Sequence, residues 1–189
     1  MRKPFYDNAQ PGDIHILQSG TYNLGFLGLK GGDSSRRMIE WWMTKLYRDC
    51  VVDIPNGLFV DQTWVDLVPA LFPDHRILHD PTINVAYWNL HDRTLAREGE
   101  GWTVDGEPLC FFHFSGYNPF APAALSKHQN RHVPAHAPAL RALTDHYAAL
   151  LFAAGHEHTS RLPYAFDTLS NGVRVPIEIV RLAMQWASR

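Results

Sequence analysis

One short run near the middle of the chain, Leu109-Cys110-Phe111-Phe112-His113-Phe114-Ser115-Gly116, restricts the fold more than any other. Apolar residues in an unbroken row, bounded by turn-formers, predict a strand covered on both faces, as in a sheet sandwiched by helices. Ser115-Gly116 ends it and Asn118-Pro119 continues the turn. His113 then falls at the strand end, on the rim of the sheet, where α/β proteins hold ligands. An imidazole there can ligate a metal or bond a substrate, although spacing alone favours one satisfied by a neighbouring carbonyl.

The rest of the chain is patterned around that strand. A helical turn is predicted at Asp13–Gln18. Thr21–Leu29 is apolar and aromatic and reads as a second strand; Gly25 and Gly28 within it would let a backbone or ligand come close. Asn23 inside that run is either a bonded core amide or a ligand contact. Met38, Trp42 and Leu46, with Ile39 and Met43 beside them, give Arg36–Cys50 an amphipathic helical period, capped by Asp33 or Ser34. Trp64, Leu67, Val68 and Leu71 continue in helical spacing behind Asp61, a candidate N-cap, and Pro69 should kink or end that helix. Arg76–His79 is a short strand candidate. Asp80–Asn89 has no helical period and reads as a shaped loop. Trp102–Val104, Asp105-Gly106 and Pro108–Phe114 predict a hairpin with an Asp-Gly turn. Ala139–Ala154 is an alanine- and leucine-rich helix ended by Gly155. Tyr164–Phe166 and Val173–Val175 around Asn171-Gly172 suggest a small hairpin, and Pro176 starts a last helix to Trp186.

Composition removes several classes of function. The 189 residues suffice for one sizeable core, and a formal charge of -2 gives no basic footprint for nucleic acid. No apolar run has the length of a membrane span, and Met1-Arg2-Lys3-Pro4-Phe5 lacks a signal-peptide core. Cys50 and Cys110 lack paired spacing and are expected as reduced, mostly buried thiols of a cytoplasmic protein. The His79-Asp80 and His91-Asp92 pairs lack the helical setting of a phosphohydrolase. His156-Glu157-His158 follows a helix-ending glycine and reads as a solvated turn. The chain contains no GxGxxG, P-loop, HExxH or GxSxG motif.

What remains is a dispersed set consistent in type: Asn23, Asp61, Gln62, Asn84, Tyr87, Asn89, His113, Ser115, Lys127, Gln129, Asn130 and Arg131. Amides, a carboxylate and an aromatic hydroxyl suit a polyhydroxylated ligand, and the cations suit a pyrophosphate. The order Tyr22-Asn23-Leu24-Gly25-Phe26, Phe59-Val60-Asp61-Gln62, Asn84-Val85-Ala86-Tyr87-Trp88-Asn89, His113-Phe114-Ser115-Gly116 and His128-Gln129-Asn130 resembles a bacterial glycosyltransferase of the GT-A fold, similar in layout to the glycogenin-like, nucleotide-sugar-dependent group. The resemblance covers roughly residues 15–131. It implies a hexosyl transfer in which Asp61 and Gln62 lie near the reacting sugar carbon. It further implies that Asn23, Asn84, Tyr87, Asn89, Ser115 and Gly116 line the substrate site, that His113 is a ligand of Mn²⁺ or Mg²⁺, and that Lys127 holds the diphosphate.

The family's nucleotide-binding half carries an Asp-x-Asp pair that holds the metal, and this sequence has no Asp-x-Asp. The expected fold is therefore α/β: a partial GT-A-like mixed sheet with flanking helices and a helical C-terminal region. Residues 1–135 would form the C-terminal part of the catalytic domain, with 136–189 packed on it as a helical and hairpin extension. Such a chain would be a truncated, split or degenerate enzyme. It should bind the metal poorly and transfer little sugar alone, because hard cations need several oxygen ligands. An apolar edge at Thr21–Leu29 would be left open, favouring self-association or a partner that supplies the nucleotide-binding half. The alternative is a non-catalytic carbohydrate-binding or interaction module that stacks ligands on Trp88, Tyr87, Trp102 and Tyr117.

Overall fold

The computed structural model describes residues 3–163, 168–176 and 179. It is a mixed α/β structure, as the sequence patterning predicts, with small antiparallel sheets and helices around them. Helix α1 spans Asp13–Ser19 and α2 spans Asp33–Asp49, the helix expected from the Met38, Trp42 and Leu46 period. Gly32, rather than Asp33 or Ser34, occupies its N-cap, without a side-chain cap bond. Strands β1 (Val52–Asp53) and β2 (Leu58–Phe59) pair antiparallel. The next helix is split, as Pro69 requires: α3 covers Gln62–Val65 and α4 covers Val68–Leu71, with the proline in the first turn of α4, where its missing N–H leaves no bond unmade. Asp61 is at the N-cap of α3 but its carboxylate makes no capping bond.

Strands β3 (Leu95–Glu98), β4 (Gly101–Val104) and β5 (Glu107–Pro108) form a three-stranded antiparallel sheet. The β4–β5 turn is the predicted Asp105-Gly106 pair. Both residues have positive φ, 54° and 89°, the backbone that matches strand twist in a two-residue hairpin. Helix α5 (Pro138–Ala153) packs over this sheet and ends before Gly155, whose φ of 84° is the left-handed turn glycine tolerates; α6 (His156–Thr159) follows. The core joins Val85, Leu90, Val104, Leu125 and Leu140, so α5 shares it with the sheet and with the 82–90 loop.

Three elements depart from expectation. Thr21–Leu29 is a turn and an irregular exposed segment, because side chains take its backbone donors: the Asp66 carboxylate accepts from the Thr21 N–H at 2.9 Å, and Asn23 Oδ1 accepts from the Gly25 N–H at 2.9 Å. There is accordingly no strand edge there; Phe26, Leu27 and Leu29 are exposed instead. Arg76–His79 is irregular and exposed. The Leu109–Phe112 run is extended but not sandwiched. It follows residues 82–85 in parallel, with the Phe111 carbonyl accepting from the Val85 N–H at 3.2 Å and the Val85 carbonyl accepting from the His113 N–H at 2.7 Å. Both cysteines are unpaired as expected, yet exposed rather than buried. The predicted Tyr164–Phe166 strand and most of the Pro176–Trp186 helix lie outside the described residues, although Thr168 and Arg174 bridge antiparallel across the Asn171-Gly172 turn.

Candidate functional site

The 82–90 loop builds the site. Asp80 Oδ1 accepts from the Thr82 N–H and hydroxyl at 2.8 and 2.7 Å, which starts the turn and holds the Asp80 carboxyl below the usual range. Buried Asn89 closes the loop: its Oδ1 accepts from the Ala86 N–H and its Nδ2 donates to the Asn84 carbonyl, each at 2.9 Å. Asn84 is thereby held at a φ of 54°, a left-handed backbone that asparagine tolerates better than most residues. That geometry sends its side chain to residues remote in sequence.

Four stretches meet there in an unbroken hydrogen-bonded chain. Gln62 Nε2 donates to the Ser19 carbonyl at 2.7 Å. Asn23 Nδ2 donates to Gln62 Oε1 at 2.9 Å, and Asn84 Nδ2 donates to Asn23 Oδ1 at 2.9 Å. Asn84 Oδ1 then lies 3.0 Å from His113 Nδ1. The imidazole is half-buried, which pushes its pKa below the ordinary histidine value, and it packs edge-on to Trp88 with ring centroids 5.1 Å apart. Gly25 lies against this chain. A Cβ there would come 2.7 Å from both Asn84 Cγ and His113 Nδ1, so only glycine fits although its φ is ordinary.

A second group borders the first. Tyr87 packs edge-on to Trp88 at 4.9 Å and lies 6.5 Å from the His128 ring; burial raises its pKa. Burial, and then the Lys127 ammonium, lower that of His128. Ser115 and Gly116 form the turn after His113, with the Tyr117 N–H donating to the Phe114 carbonyl. Gly116 has a φ of 69°, and a Cβ on it would meet His128 Cδ2 at 2.6 Å and Ser126 Oγ at 2.8 Å. Its carbonyl accepts from the Lys127 N–H, while the Lys127 side chain is exposed.

No family model matches the sequence, and no solved structure matches it. The chain is 35% identical over 117 residues to "Uncharacterized protein YfnF" of Bacillus subtilis (strain 168), covering 60% of this chain and 38% of that one. It is 26% identical over 102 residues to "Uncharacterized protein YfnD" of the same organism, covering 53% of this chain and 33% of that one. The chain thus spans little more than a third of the length of the curated relatives it matches.

The sequence-predicted residues divide on inspection. Asn23, Gln62, Asn84 and His113 come together, with Tyr87, Gly116 and Lys127 beyond Trp88. Asp61 does not join the chain: its carbonyl accepts from Trp42 Nε1 at 3.3 Å, and its carboxylate bears on Cys50, an exposed residue whose thiol is pushed up by partial desolvation and then by that charge. Asn89 uses both ends of its amide inside the loop. Gln129, Asn130 and Arg131 are engaged elsewhere. Gln129 Oε1 accepts from the Arg131 and His132 N–H groups, Asn130 Oδ1 accepts from the Gln10 N–H, and Arg131 forks onto Asp7 at 2.7 and 2.8 Å while lying 4.0 Å over the Phe5 ring. Asn130 and Arg131 fasten the 3–12 segment and Gln129 holds the backbone at 131–132, rather than standing ready for a diphosphate. The close approach expected at Gly25 is met by Asn84 and His113; the sequence reading missed the Ser19 carbonyl and gave His128 no role beyond its place in a motif, since neither carries a local pattern that would mark it.

Among the described residues, no three His, Cys, Asp or Glu side chains lie close enough to share a metal ion. The partners of His113 are an amide and an indole, not carboxylates. One imidazole is a poor match for Mn²⁺ or Mg²⁺, which take mostly oxygen ligands. The residues of this chain therefore do not by themselves fit the divalent metal that the glycosyltransferase resemblance implies. No helix among the described residues is long and apolar enough to cross a membrane.

Proposed function

We propose that this chain is the sugar-side, histidine-bearing portion of a nucleotide-sugar-dependent glycosyltransferase. The observation that carries the proposal is the Gln62–Asn23–Asn84–His113 chain. Motifs matched to such enzymes only by their order along the sequence supply side chains that touch in space. In this reading Asn84, Tyr87 and the Gly116 turn line the sugar pocket, and His113 sits where the departing diphosphate would be neutralised. Lys127 is the exposed cation available to that diphosphate. Gln62 and Asn23 hold the pocket's shape. Asp61, next to Gln62 in the chain, is the carboxylate this reading assigns to the reacting carbon. The metal-holding carboxylates come from a second segment, continuous with this one or separate.

Ile14, Leu17, Phe26, Leu29 and Met43 are exposed apolar residues along the 14–43 stretch, and they are what we assign to cover by that second segment. The test is isothermal titration with nucleotide sugars and Mn²⁺, on this chain and on a longer one that adds an Asp-x-Asp domain. Binding and sugar transfer by the longer chain that His113→Ala removes would support the reading; binding unchanged by His113→Ala would end the metal role. A purely carbohydrate-binding role is the rival. Trp102 and Tyr117 are tied to α5, through the Ala139 and Thr144 carbonyls, whereas Tyr87 and Trp88 pack against His128 and His113. The four aromatics therefore split into two groups, and metal-independent glycan binding abolished by Trp88→Ala but indifferent to Asp61→Asn would favour the rival.

A further inference from the structure

We infer that the amide chain running from the Ser19 carbonyl through Gln62, Asn23 and Asn84 locks His113 as the Nδ1–H tautomer, leaving Nε2 as a lone pair for the ligand. The argument needs only the chemistry of fixed groups. An amide side chain offers a donor end and an acceptor end of nearly the same shape, so its orientation is deduced from partners that cannot change role. Two backbone groups serve here. The Ser19 carbonyl can only accept, so the end of Gln62 that lies 2.7 Å from it is Nε2 and the other end is the acceptor Oε1. The Gly25 N–H can only donate, so the end of Asn23 that lies 2.9 Å from it is Oδ1.

These anchors agree with each other across the Asn23–Gln62 bond, where Nδ2 meets Oε1. With Asn23 fixed, Oδ1 is also what Asn84 meets, so Asn84 must present its NH₂ there and its Oδ1 to His113. An acceptor at 3.0 Å from Nδ1 requires a proton on Nδ1. A neutral imidazole carries only one, so Nε2 is bare. Among the described residues Nε2 has no hydrogen-bond partner and is not sealed from solvent.

Gln62, Asn23 and Asn84 are thus positioning residues that act through His113. The tautomer follows from geometry alone; its use as a lone-pair acceptor for a substrate hydroxyl rests on the glycosyltransferase reading. The same lock would stop His113 acting as a general acid through Nε2 while it stays neutral. If the ring were protonated, the second proton would sit on Nε2 and leave the bond to Asn84 intact.

The experiment is long-range ¹H–¹⁵N NMR of the histidine-labelled chain at neutral pH, which reports which ring nitrogen carries the proton without nucleotide, sugar or metal. His113→Gln assigns the signal. We expect Nδ1–H in the wild type, and an Nε2–H spectrum for Asn84→Ala with the circular dichroism unchanged. Asn84→Asp should retain Nδ1–H, because a carboxylate still accepts from that position. Asn23→Ala should give a mixture, because an unanchored Asn84 amide can turn over. Nε2–H in the wild type overturns the inference, and so does an Asn23→Ala spectrum identical to wild type. If Asn84→Ala does not fold, the wild type, Asn84→Asp and Asn23→Ala still decide it. Failure of the sugar-binding test leaves these spectra untouched, so the two readings fall separately.

Discussion

Gly25→Ala is the sharpest single test of the site's geometry. The added methyl would lie 2.7 Å from Asn84 Cγ and 2.7 Å from His113 Nδ1, against about 3.5–4.0 Å for relaxed carbon contacts. Neither neighbour can retreat freely, since Asn84 is tethered to Asn23 and His113 to the Val85 carbonyl and the Trp88 ring. Overpacking of this kind costs about 1–3 kcal/mol. Loss of the Asn84–His113 and Asn23–Asn84 bonds adds roughly 1 kcal/mol each. The stiffer unfolded chain returns about 0.5 kcal/mol. The net destabilisation is roughly 2.5–4.5 kcal/mol, which for a chain of this length lowers Tm by about 5–18 °C. Thermal and urea unfolding followed by tryptophan fluorescence would read it. Two neighbours are internal controls: a Cβ on Gly28 meets only the Phe26 ring, at 3.4 Å, and one on Gly31 meets nothing within 4 Å. Both alanine variants should unfold within about 1 kcal/mol of wild type. A Gly25→Ala chain as stable as those two would refute the packed amide chain.

The N-terminal segment gives three further tests. Arg131→Ala removes the fork onto Asp7, the bonds to the Ala9 and Pro11 carbonyls and the cation over Phe5, so limited proteolysis should cut within residues 3–12 faster than in wild type. Asp7 has its carboxyl pulled down to about 2, chiefly by the hydrogen bond from Arg131. Its contribution is therefore complete above the unfolded carboxylate pKa of about 4 and is lost as pH falls toward 2, a loss that Asp7→Asn should abolish in an acid titration of that same proteolysis. His132 is held down at about 4, first by burial and then by the Arg131 and His91 charges. A base with a depressed folded pKa stabilises fully above its unfolded value near 6.5 and loses that contribution as pH falls from there toward 4. His132→Gln should flatten the stability-against-pH curve in that window, measured by urea midpoints.

The helices and the β4–β5 hairpin were legible because their signals are local. The Met38–Trp42–Leu46 period, Pro69, the Asp105-Gly106 pair and Gly155 each act on their own few residues, and each behaves as its chemistry dictates. Thr21–Leu29 was misread for the opposite reason. Its apolar residues suggest a strand, but the decisive interaction comes from Asp66, far along the chain, and the Asn23 side chain adds an Asx turn that competes with any ladder. The candidate site was partly legible: amides at 23, 62 and 84 and the imidazole at 113 stand out as polar groups in apolar surroundings. The fate of Asn130 and Arg131 was not, because nothing in their own neighbourhood signals that residues 5–11 will occupy them. A polar cluster announces that hydrogen bonds will be made, not whether a ligand or the chain itself will make them.

The distribution of buried apolar residues leads to a last prediction. Val85, Leu90, Val104, Leu125, Leu140 and Leu143, all beyond residue 80, are buried, whereas residues 13–78 contribute only Met38 and Val65. Along that earlier stretch Ile14, Leu17 and Met43 are 63%, 68% and 65% exposed, and Tyr47 is 76% exposed. At about 25 cal/mol per Å² of apolar surface removed from water, so little burial cannot balance an ordering cost of roughly 1–2 kcal/mol per residue. The α2 region should therefore open far more readily than α5, although both are long helices with ordinary propensities. Hydrogen exchange resolves this directly: α2 amides should exchange well before α5 amides in the isolated chain. In a longer chain that covers residues 13–78 they should slow toward the α5 rate. Equal protection of the two helices in the isolated chain would mean that the exposed apolar residues need no cover, and the proposed second segment would lose its physical motive.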